Sequence, residues 1–284
     1  MKATPLPQVR ACGSWGDMGI AVGRELSPLI QAHLTAWLNH VMEQTACTRE
    51  AAIESAQAYA NPIQAHAPFL WEELEGLSRG AGIPVAELLV LQARTEVLNA
   101  QASPPRSLTS AECTTFAVGR TRTQDGDVYF GHNIDLPAVL EPYGVVVNLE
   151  PRDAPATLCY TGAGLLGHNG LNEAGVGICA NAIEDPDGWG VGFPRYLLSR
   201  LALCADTARG ALAKVLEPPR AASRNLLIAD ANSDLLDIEL LVRSAGLLEA
   251  KEDLLTHTNH MESAQFAGLD TPEADSVARL QSSS

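Results

Sequence analysis

Gln101-Ala102-Ser103-Pro104-Pro105-Arg106-Ser107-Leu108-Thr109-Ser110-Ala111-Glu112, followed at once by Cys113-Thr114-Thr115-Phe116-Ala117-Val118, is the stretch on which the reading of this chain turns. Its first part is polar, carries two adjacent prolines and has no apolar period, which reads as a linker. Its second part opens with a cysteine and two threonines and reads as a β-strand. The grain of the sequence changes across it, so the chain divides into a helical segment, 1–112, and a strand-rich region, 113–284.

Upstream of the linker the periodicity is helical. After Ser14, the residues Ile20, Leu26, Leu29, Ile30, Leu34, Trp37, Leu38 and Val41 recur at three, four or seven, the spacing of one helix face. Pro28 falls inside this run and predicts a kink or a break. Further helices are expected over 49–66, over 69–79 with Gly80 and Gly82 closing it, and over 85–99 behind Pro84. Downstream, 114–118, 128–131, 145–149, 157–160 and 175–180 are short β-prone runs. A helical stretch over 193–213 follows, then strand character returns at 226–229, 235–241 and 254–258. Strands, helices and strands again predict an α+β fold, a layered αββα sandwich behind a helical preface.

The whole-chain numbers exclude some classes. A formal net charge of −15 disfavours nucleic acid and anionic membranes as partners, and no run approaches the roughly 18 apolar residues of a membrane span. The six cysteines form neither a metal-type pair nor a dense disulfide framework, and thiols such as Cys179 sit inside apolar runs. Reduced thiols and the lack of an apolar leader point to the cytoplasm. The glycines between 162 and 177 match neither nucleotide-binding fingerprint. His257 and His260 have a spacing that could ligate a metal, but two ligands make no zinc site, so no metal and no cofactor are expected.

Cys113 has a chemistry available to it from position alone. If the Glu112–Cys113 bond breaks, Cys113 becomes an N-terminus, and its α-amino group, with an unperturbed pKa of about 8, can serve as the base for its own thiol. The bland alternative is a core or edge cysteine.

Cys113-Thr114-Thr115-Phe116, followed by Gly131-His132-Asn133-Ile134-Asp135, resembles the peptidase C45 family, that of the acyl-coenzyme A:6-aminopenicillanic acid acyltransferases, within the N-terminal-nucleophile hydrolases. Glu75 to Gly82, Arg94-Thr95-Glu96, Gly164 to Val176 and His257-Thr258-Asn259-His260 are similar to further family segments in the same order. The resemblance implies a precursor that cuts itself before Cys113 and stays together as a heterodimer of its two pieces. It implies Cys113 as the nucleophile of a thioester acyl-enzyme, Asp135 as a carboxylate near the nucleophile, and Asn259 as a donor to the oxyanion. Thr114, Asn133 and Asn181 become candidates for binding or orienting substrate. The substrate would be a small-molecule amide, with acyl-coenzyme A as a further donor.

Each residue also has a plain reading: Asp135 as a turn cap, Asn259 as a strand-end turn. Two departures favour an uncleaved, inactive family member acting as a binding or scaffold protein. Glu112 stands where the family's best-known member has glycine, and family chains continue past the stretch resembling Asp275 to Leu280, so the sandwich is expected to be shortened at its C-terminal end. An exposed sheet edge there would favour oligomerisation. A third reading keeps catalysis without cleavage, pairing Cys113 with His132 as thiol and imidazole.

Overall fold

A computed structural model describes residues 5–103, 113–186 and 188–283. Among the described residues a strand comes first, β1 (Gln8–Gly13), followed by six helices: α1 (Trp15–Thr45), α2 (Arg49–Gln57), α3 (Ala60–His66), α4 (Pro68–Ala81), α5 (Val85–Gln92) and α6 (Arg94–Gln101). After the linker come β2 (Cys113–Val118), β3 (Tyr129–Ile134), β4 (Gly144–Pro151), β5 (Thr157–Gly162), β6 (Asn169–Asn172) and β7 (Gly177–Asn181). Then follow α7 (Arg195–Ala202), α8 (Ala208–Leu216), β8 (Arg224–Ala229), β9 (Leu235–Leu240), β10 (Ala245–Glu249), β11 (Leu254–His257) and α9 (Ala274–Ser283). Among the described residues no helix is long and apolar enough to cross a membrane.

Helix α1 starts at a capping box, in which Ser14 Oγ accepts from the Asp17 N–H and Asp17 Oδ2 accepts from the Ser14 N–H. It passes through Pro28 without the expected break. The lost hydrogen bond is outweighed by packing on both sides of the proline, since Leu26, Ile30 and Leu34 are all buried. The contact between α1 and α4 is made by glycines. A Cβ at Gly19 would stand 2.1 Å from the Glu73 carbonyl oxygen, and one at Gly76 would stand 2.3 Å from that of Gly16. Backbone against backbone cannot yield as a side-chain tip can. Gly19→Ala is therefore expected to cost about 3 kcal/mol, read as a lowered urea midpoint at unchanged slope. The helix expected over 85–99 is two helices, α5 and α6, meeting at Ala93.

The strands form two sheets. The larger has the order β1-β4-β5-β6-β7-β8-β9-β10, antiparallel except for the β1–β4 pair; the smaller is β11-β2-β3, antiparallel throughout. The smaller sheet lies over β7, β8 and β9, and α9 packs on its other side against β2 and β11. The helices α7 and α8 pack on the opposite face of the large sheet, and α1 lies beside them. The layers are thus helix, sheet, sheet, helix. Segment 5–103 is not purely helical: β1 lends the large sheet its edge strand, with Val9 opposite Val147 and Ala11 opposite Leu149.

Side-chain alternation splits the space between the sheets into two halves. At one end Ala117, Cys179, Leu227, Ala229, Leu235 and Leu255 form an apolar cluster. At the other end, nearer Cys113, the buried positions are polar: Thr115, Asn181, Asn225, Asp237, Glu239 and His257, all closed off from solvent. All six cysteines are free thiols, and burial pushes both Cys159 and Cys179 up to about 12.

Candidate active site

Cys113 is the first residue of β2, opposite Ile134 on β3, and its side chain faces inward with those of Thr115 and Ala117. Both of its main-chain polar groups are held. Its N–H donates to Asn259 Oδ1 at 2.6 Å, and its carbonyl accepts from Arg279 Nη1 at 2.5 Å. Arg279 also donates to Thr114 Oγ1 at 3.1 Å and Asn259 Oδ1 at 3.2 Å, while its Nε pairs with Asp275 one turn back along α9. Asn259 Nδ2 donates to the Ala182 carbonyl at 3.0 Å, and the Asn259 N–H donates to Ser276 Oγ at 2.9 Å. Two donors meet the oxygen of this carboxamide and a carbonyl meets its nitrogen, so its orientation is set by chemistry.

Cys113 is 4% exposed. Burial pushes its pKa above the ordinary value, and the Asp135 charge adds to that; the Asp135 main-chain N–H and the guanidiniums of Arg224 and Arg195 pull the other way without cancelling it. In the intact chain the sulfur is therefore a protonated thiol at neutral pH. Asp135 follows β3 directly; its main chain faces the sulfur, and the residue is exposed. Thr114 and Asn133 are paired across the strands and face outward, away from the sulfur. Thr114 meets Arg279 there, and Asn133 is exposed. Glu112, the other half of the expected scissile bond, lies outside the described residues.

Asn181 does not reach Cys113. Its Oδ1 accepts from the Thr115 hydroxyl at 2.8 Å and its Nδ2 donates to the His257 carbonyl at 3.3 Å, so it fastens the large sheet to β2 and β11. His257 is buried against two acids, with Nε2 at 3.0 Å from Glu239 and 4.0 Å from Asp237, and Nδ1 on the Thr258 carbonyl. Burial opposes its charge, but Asp237 and Glu239 together outweigh burial and raise its pKa to about 9. His260 meets Ser276, Thr258 and Glu262 instead. Both histidines of this block are thus engaged in hydrogen bonds, and among the described residues no group of three or more His, Cys, Asp and Glu side chains is arranged to hold a metal.

The raised His257 pKa fixes a pH dependence. The folded protein holds a proton that the unfolded chain releases near pH 6.5, so this stabilisation is complete below that pH and is lost as pH rises through about 9. His33, His132 and His168 have lowered pKa values, so their contributions finish changing below about pH 6.5. Unfolding free energy in urea should fall by about 3 kcal/mol from pH 6.5 to beyond 9, and His257→Gln should flatten that slope.

His132 does not suit the thiol–imidazole reading. Burial, reinforced by Arg224 and opposed only in part by a hydrogen bond with Asn169, lowers its pKa to about 3, leaving a poor base. Its neighbour His168 has Nε2 at 3.3 Å from Arg224 Nη2 and Nδ1 at 2.7 Å from the Asn169 carboxamide. Arginine can only donate, so Nε2 accepts and Nδ1 carries the hydrogen, which selects the carboxamide oxygen of Asn169 as its partner.

Sequence reasoning missed Arg279. Its signal was the Asp275–Arg279 spacing of four, which marks one helix face but does not say what that face meets. It also missed a nest of buried arginines beyond the thiol, contributed by Arg94, Arg195 and Arg224. Those three are far apart in sequence and are brought together by α6, α7 and β8.

A family model described as acyl-coenzyme A:6-aminopenicillanic acid acyl-transferase matches residues 121–283, a span that begins after Cys113. The acyl-coenzyme A:6-aminopenicillanic-acid-acyltransferase 40 kDa form of Emericella nidulans is 25% identical over 198 residues, covering 68% of this chain and 52% of that protein. The chain therefore spans about half the length of this curated relative. Among solved structures, a mutant of conjugated bile acid hydrolase from Clostridium perfringens aligns over 54% of this chain and 55% of its own, with 15% identity and a TM-score of 0.37. Penicillin V acylase from Agrobacterium tumefaciens aligns over 51% of this chain and 44% of its own, with 13% identity and a TM-score of 0.29.

Proposed function

The chain belongs to the acyl-coenzyme A:6-aminopenicillanic acid acyl-transferase family, and from that premise we propose that it is an acyl-transfer enzyme whose nucleophile is Cys113, exposed as an N-terminus by self-cleavage. The observation that carries the proposal is the grip on Cys113, with its N–H on Asn259 and its carbonyl on Arg279 while the thiol stays protonated.

The cleavage step uses that grip. The Cys113 thiol attacks the carbonyl carbon of residue 112, the C–N bond breaks, and the nitrogen takes the proton that the sulfur releases. Asn259 Oδ1 accepts from this nitrogen before and after the step, steadying it as it becomes an amine. Water then hydrolyses the thioester, leaving a carboxylate on residue 112 and a free amine and thiol on Cys113. The amine, now a base next to its own sulfur, supplies what the buried thiol lacks. In this reading Asp135, whose charge acts on the Cys113 thiol, would favour the amine's charged form.

In turnover Cys113 attacks the carbonyl of a small-molecule amide or an acyl-coenzyme A thioester and forms a thioester acyl-enzyme. One Asn259 amino hydrogen is spent on Ala182; the second remains to donate to the oxyanion. The acyl group passes to water or to an amine. The two pieces stay together as a heterodimer because β1 is woven into the large sheet and because Glu73 of α4 and Arg200 of α7 pair at 3.2 Å, both buried. The test is acid-quenched mass spectrometry after mixing with excess acyl amide or thioester. An acyl adduct on the peptide that begins at Cys113 supports the proposal; adducts elsewhere, or none while product forms, would sink it.

A further inference from the structure

Glu262, His260 and Ser276 form a hydrogen-bonded chain behind Asn259. His260 Nε2 lies 2.6 Å from Glu262 Oε1, and His260 Nδ1 lies 2.8 Å from Ser276 Oγ. Acid, imidazole and hydroxyl in this order are the parts of an activated serine nucleophile. Ser276 does not suit that use. It is 2% exposed, and its oxygen already accepts from the Asn259 N–H at 2.9 Å. A substrate carbonyl cannot approach an oxygen so enclosed.

The hydrogens of the chain can be placed by elimination. The Glu262 carboxylate only accepts, so in the neutral imidazole Nε2 carries the hydrogen and Nδ1 accepts. Thr258 donates its hydroxyl hydrogen to the Ser276 carbonyl at 3.1 Å, which leaves Ser276 as the donor to Nδ1. The Ser276 hydroxyl thus has one direction: its hydrogen points to His260 and a lone pair faces the Asn259 N–H.

Ser276 stands in the first turn of α9 and is the buried residue of that helix. Arg279, three residues on and on the same face, donates to Asn259 Oδ1 at 3.2 Å and to the Cys113 carbonyl at 2.5 Å. One helix face therefore grips Asn259 twice, at its main chain through Ser276 and at its carboxamide through Arg279. The far end of the same loop is held by Glu239, which accepts from the N–H groups of Glu262 and Ser263. Asn259 in turn accepts from the Cys113 N–H at 2.6 Å.

We propose that Ser276 is a positioning residue for the reaction at Cys113: its hydroxyl, oriented by His260 and Glu262, fixes the Asn259 main chain and so aims the Asn259 carboxamide at the Cys113 nitrogen. The assignment rests on the self-cleavage proposed for Cys113. Without the hydroxyl, the Asn259 N–H and His260 Nδ1 lose a partner and the turn is free to shift, and a displacement of about 1 Å near reacting atoms costs on the order of 100-fold in rate.

The test needs no added substrate, because the chain is its own. The full chain is made by cell-free synthesis, and the appearance of the fragment that begins at Cys113 is timed by mass spectrometry. Ser276→Ala and Ser276→Cys should each slow cleavage at least about 10-fold. Cysteine keeps the volume but is a weak donor and acceptor, so a residue that merely fills space would tolerate it. Ser276→Thr restores the hydroxyl and should cut within about 3-fold of the wild type. In an Asn259→Ala background, Ser276→Ala should slow cleavage by less than about 2-fold further, since groups that act through one another are not additive.

Wild-type speed in Ser276→Cys, a Ser276→Thr chain as slow as Ser276→Ala, or an equal slowing by Ser276→Ala in both backgrounds would each overturn the assignment. If Ser276→Ala gives no soluble chain, or Asn259→Ala leaves no cleavage to time, the cysteine and threonine variants decide alone. A wild-type chain that stays undivided removes the self-cleavage reading and this assignment with it. A wild type that cuts beside a Ser276→Cys chain that cuts equally fast removes only the assignment.

Discussion

Cys113→Ala is expected to reduce turnover of every amide and thioester substrate by at least about 10⁴-fold, to the background of binding and oxyanion contacts alone. Neither of the other two buried thiols can stand in for it. Cys179 lies in the apolar half of the space between the sheets, and Cys159 is fully buried on the large sheet's other side; burial holds both near 12. Nothing in the fold depends on the sulfur, since Cys113 is held by its main chain. The melting temperature should therefore stay within a few degrees of the wild type while kcat/KM disappears. Residual activity above about 1% would mean that the acyl group is carried elsewhere.

Glu239→Ala is expected to cost about 3–5 kcal/mol, a large share of the stability of an ordinary domain. One oxygen of Glu239 accepts from His257 and from the Glu262 N–H, and the other accepts from the Ser263 N–H, all in the buried polar half between the sheets. Removing the carboxylate strands a charged imidazole and two main-chain donors at once. The loop from Thr258 to Ser263 carries Asn259, so self-cleavage should fail as well. Urea unfolding measures the first effect, and a loss below about 1 kcal/mol would contradict the network described here. Glu239→Gln keeps an acceptor and should cost markedly less.

The layered architecture was legible because the chain spells it in two periods. The apolar spacing of α1 and the alternating or continuous β-prone runs of β2, β4, β5, β8 and β9 are strong local signals. The elements that escaped have weak ones. β1 offers only Val9 and Ala11 at a spacing of two, between prolines and polar residues, and becomes a strand because β4 is there to pair with it. β6 is Asn-Gly-Leu-Asn, which reads as a turn; between β5 and β7 it is a strand, and Gly170 is needed because a Cβ there would stand 2.4 Å from the Leu158 carbonyl oxygen. β10 is too short and too exposed to show a pattern. Pro28 announced a break that tertiary packing overrode.

The candidate site was legible in part. Cys113 and Asn259 are hydrogen-bonded, with Asn259 holding the Cys113 nitrogen through its oxygen, whereas the resemblance implied a donor to the oxyanion. Asp135 lies beside the sulfur through its main chain. Asn181 braces Thr115 and His257, one residue removed from the chemistry, and Thr114 and Asn133 face away from the thiol. Arg279 and the arginine nest were invisible, because a contact between residues 94, 195 and 224, or between 113 and 279, leaves no local pattern. Only the folded arrangement of α6, α7, β8 and α9 creates it.

Intact mass spectrometry of the purified chain beside its Cys113→Ala variant tests the central claim most directly. The account predicts two masses for the wild type, those of residues 1–112 and 113–284, and one undivided mass for the variant. An undivided wild-type chain under native conditions would contradict it, leaving Cys113 an amide-bound thiol held protonated by burial and the molecule without the base its nucleophile requires.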